Sequence, residues 1–518
     1  MRSLWCCIVL LGLILQDAIV AGSPVPYETF PRYFQNYPVT RRNITAAMVQ
    51  KELAAQLSNG TIVFGPSDPA YANATSRWVT FVKPDIRVVV QPAQESDVAT
   101  IVKYCNDNSI EFLARNRGHG ITTSLNSFDG LEIDLSLLQR VVINKQEMTA
   151  MLQGGSYAAP TIQTLWDQGF VTSTGAAYCV GLMGVALGGG HGRLEGIHGL
   201  VADGLVHLNA VLADGSKIGI NATSHSDLFW AMKGAGHNFA IVTSYTVKIY
   251  SKPPTTWHYH NYTWTGDKVE AVFTELNKLH TSDNGTTPPL MAYEGGTISI
   301  DPSISETEAI LSWTFAYNGL AEDAEKLLKP FNDIGAVNEQ TGDVPYIDIT
   351  DIQGTGLNGP VCQDAPYVVS SNMLLTYNVT TQQQIYQQFN QYAAKYPSLG
   401  ASTRLSFEGY SNAAVQAIDP ASTAYPHRDQ NHIVYFLGAV TDSSLFDTAQ
   451  AWAKEFWALW NAGKASKKPD TYVNYAAGQK YESIKSIYGY EPWRLERLRR
   501  LKAQYDPHNR FRFFVPIE

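Results

Sequence analysis

A glycine-rich stretch at residues 180–192 constrains this chain more than any other feature. Six of its thirteen residues are glycine, and Gly188, Gly189 and Gly190 are consecutive. Glycine destabilises regular helices and strands because it loses the most backbone freedom on folding. We therefore expect a loop that contains Gly181, Gly184 and the triplet, against which a large flat cofactor lies. A P-loop is excluded because no Gly-Lys-Ser/Thr follows, and the strand-turn-helix context of a Rossmann turn is missing.

Two further glycine clusters flank this stretch. The first follows a short apolar run and comprises Arg115, Asn116, Arg117, Gly118, His119 and Gly120. Its backbone N–H groups and arginines would suit a diphosphate, and the alternative is an exposed turn with a surface histidine. The second contains Gly236 and precedes a strand that includes Val242. Three such loops predict one extended dinucleotide.

The first 22 residues are typical of a secretory signal peptide. Arg2 precedes an apolar run at residues 4–15, which is too short to cross a bilayer comfortably, and small residues follow at 20–22. We therefore predict secretion. Seven Asn-x-Ser/Thr sequons agree with passage through the secretory pathway: Asn43, Asn59, Asn73, Asn221, Asn261, Asn284 and Asn378.

Charge and cysteine content exclude several classes of protein. The net charge is −9 and the basic residues are scattered, which disfavours nucleic acid as a partner. No later stretch is apolar enough for a membrane helix, and no His/Cys/Asp cluster has metal-ligand spacing, so we predict neither a membrane nor a metal partner. Cleavage of the signal would leave Cys105, Cys179 and Cys362, so at least one thiol is expected to be free unless it is modified or paired between chains.

The hydrophobic pattern predicts an α+β protein. Strands are expected at residues 85–91, 110–114, 131–135, 141–143 and 241–249, and a helix at 95–108. Further strands are expected at 255–265 and 310–317, with helices at 268–279, 382–394 and 492–503. We divide the chain into a signal peptide (1–22), an N-terminal segment (23–75), a cofactor domain (76–252), a substrate domain of sheet and helices (253–460) and a C-terminal segment (461–518).

Several motifs in this order resemble the FAD-binding domain of the p-cresol methylhydroxylase and vanillyl-alcohol oxidase type. They are Arg115-x-x-Gly118-His119, Gly130-Leu-Glu-Ile-Asp134, Gly181…Gly188-Gly-Gly190, and Asp227-Leu-Phe-Trp230 with Gly236 and Ile241-Val-Thr243. Near the C-terminus, Tyr472-Val-Asn-Tyr475 and Tyr505-Asp-Pro-His-Asn509 are similar to the berberine-bridge-enzyme-like branch. The resemblance implies this FAD-binding domain, a separate substrate domain, and a C-terminal segment that returns to the FAD domain.

The resemblance also implies how FAD is attached. In the family, the histidine that matches His119 bonds covalently to the flavin 8α-methyl group. Many relatives add a link through a cysteine of the second loop, but alignment without a gap puts that position at Ala177. We therefore expect a single histidyl link. Rearrangement of the loop is the alternative, and Cys179 is interpreted as a buried thiol.

The catalytic groups implied by the resemblance lie in the C-terminal motif. Tyr472, Asn474 and Tyr475 match the motif from which related oligosaccharide oxidases take a tyrosine base; packing against the flavin is the alternative role. In an extended segment, Tyr472 and Asn474 would point away from Tyr475. Glu408 is a candidate counterpart of the glutamate base of the plant enzymes, although a lone strand glutamate is usually solvated.

Residues near the predicted pocket complete the set of candidates. His191 follows the glycine triplet and is expected at most to contact the residues that line the pocket, not the ligand itself. His427 and Arg428 resemble a family segment near the pocket, with a surface loop as the favoured interpretation.

Three functions remain open at this point. The first is a secreted FAD-linked oxidase that removes a hydride from an alcohol, amine or activated C–H of a small molecule, passes electrons to dioxygen and tailors a specialised metabolite. The second is an oligosaccharide oxidase that acts at the anomeric carbon. The third is a flavoprotein that binds or cyclises a ligand without net peroxide formation.

Overall fold

The computed structural model describes residues 43–253, 256–283 and 285–518. The strands found there are β1 Ile62–Phe64, β2 Asp85–Gln91, β3 Phe112–Arg115, β4 Asp129–Asp134, β5 Val141–Asn144, β6 Thr149–Gln153, β7 Phe170–Val171, β8 Leu205–Val211, β9 Lys217–Asn221, β10 Ile241–Lys248, β11 Tyr250–Ser251, β12 Trp257–Trp264, β13 Met291–Asp301, β14 Ser305–Tyr317, β15 Asn338–Val344, β16 Tyr367–Leu374, β17 Thr403–Tyr410 and β18 His432–Ala439. The predicted signal peptide lies outside the described residues.

The helices of the same part of the chain are α1 Ala46–Leu53, α2 Tyr71–Ala74, α3 Glu95–Asp107, α4 Ala158–Asp167, α5 Leu182–Leu187, α6 Glu195–His198, α7 Ser226–Met232, α8 Val269–Leu279, α9 Ala321–Asn332, α10 Ile349–Ile352, α11 Val379–Lys395, α12 Pro397–Ala401, α13 Ala413–Gln416, α14 Phe446–Gly463, α15 Ile484–Tyr488 and α16 Pro492–Tyr505. Among the described residues, none of these helices is both long and apolar enough to cross a membrane.

Two larger sheets form most of the part of the chain before residue 249, and the short strand β7 pairs with β11. The first has the order β1-β2-β4-β3, and β2, β4 and β3 run parallel. The second is antiparallel with the order β5-β6-β10-β8-β9. The run of β-branched residues in β2 is buried between the helix α3 and the segment that follows α2, as a central strand requires. This mixture of sheets and helices confirms the predicted α+β class.

A seven-stranded antiparallel sheet dominates the second half. Its order is β15-β12-β14-β13-β17-β18-β16. Helices α8, α11 and α14 cover one face, where their apolar residues pack with Trp313 and Phe407 in one core. The other face carries Tyr293 and Tyr410, which belong to the core shared with the glycine-rich loops. The large sheet therefore presents polar aromatic side chains to the predicted cofactor domain.

The C-terminal segment returns to the first half, as predicted. Lys502 Nζ donates to Asn238 O at 2.7 Å, and the Ile517 amide donates to Asn238 Oδ1 at 3.0 Å. Arg510 Nη2 reaches Ile110 O at 2.7 Å. Lys502 and Arg510 are buried, so these bonds are shielded from water and fix the segment firmly.

Candidate active site

The first glycine loop leaves the end of β3 and is held from both sides. Asn116 Nδ2 donates to Gly154 O at 2.7 Å and to Ser156 O at 3.0 Å. Gly118 has a φ of +73°, and a Cβ there would lie 2.7 Å from Ser76 O. Only glycine meets both demands. The loop is thus a rigid support for the residue that follows.

His119 is the residue that this loop presents. Both of its ring nitrogens are shielded from solvent and lack a well-formed hydrogen bond within the described chain. Trp78 stacks beside the ring, with centroids 6.1 Å apart and planes 18° apart. Burial lowers the pKa of His119 to about 4, so the imidazole is neutral near pH 7. A neutral, unpartnered imidazole keeps a lone pair free for a ligand.

The two arginines of the loop have different surroundings. Arg115 lies against the carboxylates of β4, with Nη1 3.5 Å from Asp134 Oδ1 and Nε 4.0 Å from Glu132 Oε1. Arg117 is exposed and its guanidinium lies 4.4 Å from the centre of the Tyr157 ring. Arg115 therefore faces the carboxylates of β4, and its contact with the cofactor stays a prediction. Its charge is balanced by β4, and Arg117 remains the accessible cation of the pair.

The second glycine stretch is not the plain loop that its composition predicts. Residues 182–187 form the short helix α5, with Gly181 at its N-terminal cap and Gly188 at its C-terminal cap. A Cβ on Gly181 would lie 2.6 Å from the Asn116 side chain, so this glycine allows the first two loops to touch. A Cβ on Gly184 would meet nothing within 4 Å. The face of α5 at Gly184 is therefore open.

The glycine triplet after α5 is required by protein packing. A Cβ on Gly188 would lie 2.2 Å from Asn474 Oδ1, and one on Gly189 would lie 2.7 Å from the Tyr425 ring. A Cβ on Gly190 would lie 2.7 Å from Val201. Gly189 and Gly190 also have positive φ. These glycines serve first to let the C-terminal motif and its neighbours approach.

The third glycine cluster completes the contact between the loops. A Cβ on Gly236 would lie 2.4 Å from Leu187 of α5. The ring of His237 stacks on Phe514, and its Nε2 lies 2.9 Å from Gly184 O. Val242 is buried in β10. The predicted loops thus form one contiguous patch, with Val242 beneath it rather than at its surface.

The C-terminal motif is a 3₁₀ turn at Val473–Tyr475 rather than an extended segment. Asn474 Nδ2 donates to Tyr472 Oη at 2.7 Å and to Val185 O at 3.0 Å. Tyr472 and Asn474 therefore face α5, as a pair that ties the C-terminal segment to the second loop.

Tyr475 reaches the large sheet instead. Its hydroxyl donates to Glu408 Oε1 at 3.1 Å, and Tyr410 Oη donates to Oε2 at 2.9 Å. Glu408 is buried, which overturns the expectation of a solvated strand glutamate. Burial raises the pKa of Glu408 above its usual value, and burial also raises the pKa of Tyr475 well above 10. Glu408 is thus a buried carboxyl group whose two oxygens both accept phenol hydroxyl groups.

His191 lies between this group and the glycine triplet. Its Nδ1 lies 3.0 Å from Glu195 Oε1, and its Nε2 lies 2.6 Å from Tyr425 Oη. The ring also meets Tyr472 edge-on at 4.9 Å. His191 thus supports the tyrosines from behind, as expected. The spacing of four between His191 and Glu195 could have indicated this pair, whereas nothing near His191 in sequence points to Tyr425.

His427 and Arg428 are buried, so their interpretation as a surface loop is wrong. Arg428 makes two charge-assisted hydrogen bonds to Asp203, at 2.7 and 3.0 Å. His427 Nε2 lies 3.2 Å from Ile487 O. The segment therefore links α13, α15 and the 3₁₀ turn at Val201–Gly204.

Cys179 is also not the free thiol that was expected. It forms a disulfide with Cys362, which is 183 residues away, and the free cysteine of the described chain is the buried Cys105. Nearby, the Tyr178 amide donates to Thr355 O at 2.9 Å. The turn around Cys362 is therefore fastened to the second glycine loop.

Two groups of histidine and glutamate were missed because their members are far apart in sequence. His258, His260 and Glu325 lie together at the edge of the large sheet, and His280, Glu294 and His432 lie together inside it. Only His258 and His260 show a local signal, the spacing of two along a strand that puts both side chains on one face. The fold thus places possible metal ligands together that have no metal-ligand spacing in the sequence, and the absence of a metal partner stays a prediction.

Comparison with known families agrees with this arrangement. The model of the family described as FAD binding domain matches residues 86–220, and that of the family described as berberine and berberine like matches residues 471–518. The FAD-linked oxidoreductase iacH of Pestalotiopsis fici is 54% identical over 518 residues, which are 100% of this chain and 99% of iacH. The FAD-linked oxidoreductase OXR2 of Pyricularia oryzae is 46% identical over 94% of this chain and 95% of its own length.

Solved structures share the fold at lower identity. BBE-like 1 of Physcomitrella patens superposes with a TM-score of 0.77 at 20% identity, over 90% of this chain and 99% of that one. A glucooligosaccharide oxidase from Acremonium strictum, whose FAD is described as 6-S-cysteinyl, 8α-N1-histidyl, superposes with a TM-score of 0.76 at 23% identity, over 91% of this chain and 99% of that one.

Proposed function

We propose, from the premise that this chain belongs to the berberine-bridge-enzyme-like family of FAD-linked oxidoreductases, that it oxidises a small organic substrate with FAD held covalently by His119. The chain is an FAD-dependent enzyme; the link, the substrate class and the acceptor are the proposal. The observation that carries it is the pair of shielded, unpartnered nitrogens on His119. A buried polar atom without a partner is costly unless a ligand satisfies it.

The residues around His119 fit FAD. Arg117 is the accessible cation beside the loop, suited to a phosphate, and the open face at Gly184 leaves room for a flat ring. The low pKa of His119 keeps its imidazole neutral, as an attacking nitrogen must be. A covalent link would retain FAD outside the cell, where free cofactor is scarce.

A single link follows from the state of Cys179. Its sulfur is bonded to Cys362, so it is not free to form a second bond to the flavin. Ala177, at the aligned family position, has no reactive atom. The single-link proposal therefore rests on the chemistry of both positions.

The proton of the substrate goes to the group around Glu408. When bound, FAD supplies the chemistry of accepting a hydride from the substrate carbon. Glu408 removes the proton from the adjoining O–H or N–H, and Tyr475 and Tyr410 hold its carboxylate in place through their hydroxyl groups. Burial raises the pKa of both Tyr472 and Tyr475, which opposes a role for either phenol as the base at neutral pH. We assign Asn474 and Tyr472 to positioning this turn against α5.

A compact substrate fits this enclosed group best. Glu408, Tyr410 and Tyr472 are 8%, 4% and 3% exposed, whereas an oligosaccharide oxidase needs a groove open to a long chain. We therefore favour a tailoring oxidase of specialised metabolism that acts on an alcohol, amine or activated C–H, with dioxygen as acceptor. Dioxygen is a common acceptor in this family.

Secretion is part of the same proposal. Asn43, Asn59, Asn73 and Asn378 are exposed, as glycosylation requires, and Asn221 and Asn261 are half-buried; Asn284 lies outside the described residues. The disulfide also suits an oxidising compartment.

Anaerobic titration tests the proposal. The purified enzyme is mixed with small alcohols, amines and phenolic compounds, and separately with cello- and chito-oligosaccharides, while the absorbance of oxidised flavin is followed. We expect bleaching by a small compound, then recovery with peroxide when oxygen is admitted. Bleaching by oligosaccharides alone would instead establish an oligosaccharide oxidase. Conversion of a ligand with neither bleaching nor peroxide would establish the redox-independent alternative.

A further inference from the structure

A second buried polar group lies on the opposite face of the strand that carries Glu408. It consists of His280, at the end of α8, Glu294 on β13 and His432 at the start of β18. We call it the inner His–Glu cluster. Each of the three residues is 1% exposed, yet all three are ionisable. Such groups are rarely buried without a partner that satisfies them.

The strand register creates the space for this cluster. Glu294 of β13 and His432 of β18 both pair with Gly409 of β17, so the three residues form one row across neighbouring strands. A Cβ on Gly409 would lie 2.1 Å from Glu294 Oε1 and 2.8 Å from His280 Cε1. Any other residue in the middle of the row would fill the space in which the donor atoms converge.

Neighbouring side chains orient the donors. Thr287 Oγ1 lies 2.7 Å from His280 Nδ1, which leaves Nε2 as the nitrogen that faces Glu294. Trp313 Nε1 donates to Glu294 Oε2, so Oε1 is the oxygen turned toward the histidines. Tyr377 stacks on His432 with centroids 4.0 Å apart. Orientation of this kind, through the second atom of each ligand, is typical of metal sites.

His432 gives the second, independent indication of a ligand. Neither of its ring nitrogens has a hydrogen-bond partner within the described chain, although the ring is completely buried. Nδ1 lies 3.6 Å from Glu294 Oε1, too far for a hydrogen bond, and is aimed at the same oxygen that His280 Nε2 approaches at 3.2 Å. Donors bound to one tetrahedral zinc ion at about 2.0–2.1 Å lie roughly 3.3 Å apart.

We propose that the inner His–Glu cluster binds a divalent first-row metal ion, zinc in the first place, through His280 Nε2, Glu294 Oε1 and His432 Nδ1. Two imidazoles and one carboxylate form a ligand set that such ions prefer. The ion ties β13 and β18 to the end of α8.

The other cluster offers a weaker site. In the group of His258, His260 and Glu325, both histidines already lie 2.8 Å from Glu325 Oε1. His258 Nδ1 is also 2.9 Å from Asp343 Oδ1. These hydrogen bonds occupy both nitrogens of His258 and Nδ1 of His260 without an ion. His260 Nε2 lies 3.4 Å from Glu339 Oε2, and Glu325 and Asp343 remain partly exposed to water. This outer cluster therefore serves as the matched control.

Metal analysis of the intact flavoprotein tests the proposal. Wild type, His432→Gln and the double variant H258Q/H260Q are expressed with added zinc, freed of loose ions by a chelating resin, and measured by inductively coupled plasma mass spectrometry. We expect one equivalent in wild type and in the double variant, and at least about tenfold less in His432→Gln. The flavin-to-protein ratio shows whether each variant is folded.

Two results would overturn the proposal. One is wild type that carries no stoichiometric metal after this treatment. The other is loss of the ion from H258Q/H260Q while His432→Gln retains it, since the outer cluster would then be the site. If His432→Gln does not fold, anomalous X-ray scattering at the zinc edge from wild-type crystals decides: a peak between His280, Glu294 and His432 supports the site, and its absence refutes it.

Discussion

The ring nitrogens of His119 and the carboxylate of Glu408 are both shielded from solvent, but they differ in how these polar atoms are satisfied. His119 has two shielded nitrogens without partners, whereas both carboxylate oxygens of Glu408 accept tyrosine hydroxyls. A buried polar atom without a hydrogen bond is costly unless a ligand supplies one. A buried group whose hydrogen bonds are all made within the protein keeps its geometry without a ligand. The first arrangement is suited to attaching a cofactor and the second to handling a proton.

The difference predicts that His119 is irreplaceable for attachment. In His119→Ala, no flavin should remain with the denatured protein, because no other side chain of the loop offers a free nucleophile. Flavin fluorescence of the protein band in a denaturing gel measures this. His207→Ala, a histidine of β8 away from the loop, is the control and should keep its flavin. Covalent flavin in His119→Ala would contradict the role of His119 as the attachment site.

The Glu408 group should instead affect turnover and leave attachment intact. Glu408→Gln keeps the shape of the side chain but cannot accept a proton, so kcat should fall by about 10²–10⁴ while the flavin stays bound. Stopped-flow reduction of the flavin by substrate measures this. Glu325→Gln, on the outer cluster, should change the rate little. Equal rates for Glu408→Gln and wild type would assign the proton to another group.

Removal of the disulfide should affect folding stability and the His119 loop but not the group at Glu408. Cys179 and Cys362 close a loop of 183 residues, and removal of both in C179S/C362S should lower the free energy of unfolding by about 2–5 kcal/mol. Because Cys179 lies beside the glycine loop, the variant should also attach flavin more slowly, with the pH dependence of turnover unchanged. Chemical denaturation and a time course of flavin attachment check both points. An unchanged unfolding midpoint would contradict the first.

The smallest expected effect concerns pH. Since burial raises the pKa of Glu408, the active carboxylate should be lost, as pH falls, at a higher pH than the value of about 4.3 for an exposed glutamate. The Tyr475 hydroxyl lowers the pKa of Glu408 by stabilising its charged form, so Tyr475→Phe should move this acid limb to higher pH. Tyr262→Phe, at a buried tyrosine bonded to Asn332, is the control. A downward shift of the limb in Tyr475→Phe would contradict the account.

Local patterns predicted the elements and the first loop but not the second region. The run at residues 85–91 forms β2 with the predicted bounds. A strand of this kind can be recognised from a short run of β-branched residues alone. Gly118 and His119 could likewise be recognised together. Residues 182–187 form a helix despite Gly184 because tertiary packing overrides a weak propensity.

The group at Glu408 joins residues 67 positions apart, and Cys179 meets a partner 183 positions away. Neither contact has a local signal in the sequence around these residues. The row of Glu294, Gly409 and His432 depends on strand register, which becomes visible only once the sheet is built.

Peptide mapping by mass spectrometry tests the central claim most directly. The purified wild-type protein is denatured, stripped of free cofactor, digested and searched for peptides that carry the mass of FAD. We predict flavin on the peptide that contains His119 and on no other, with Cys179 recovered in disulfide linkage to Cys362. Flavin on the Cys179 peptide as well would contradict the single link. A protein without covalent flavin would contradict the role of His119 itself.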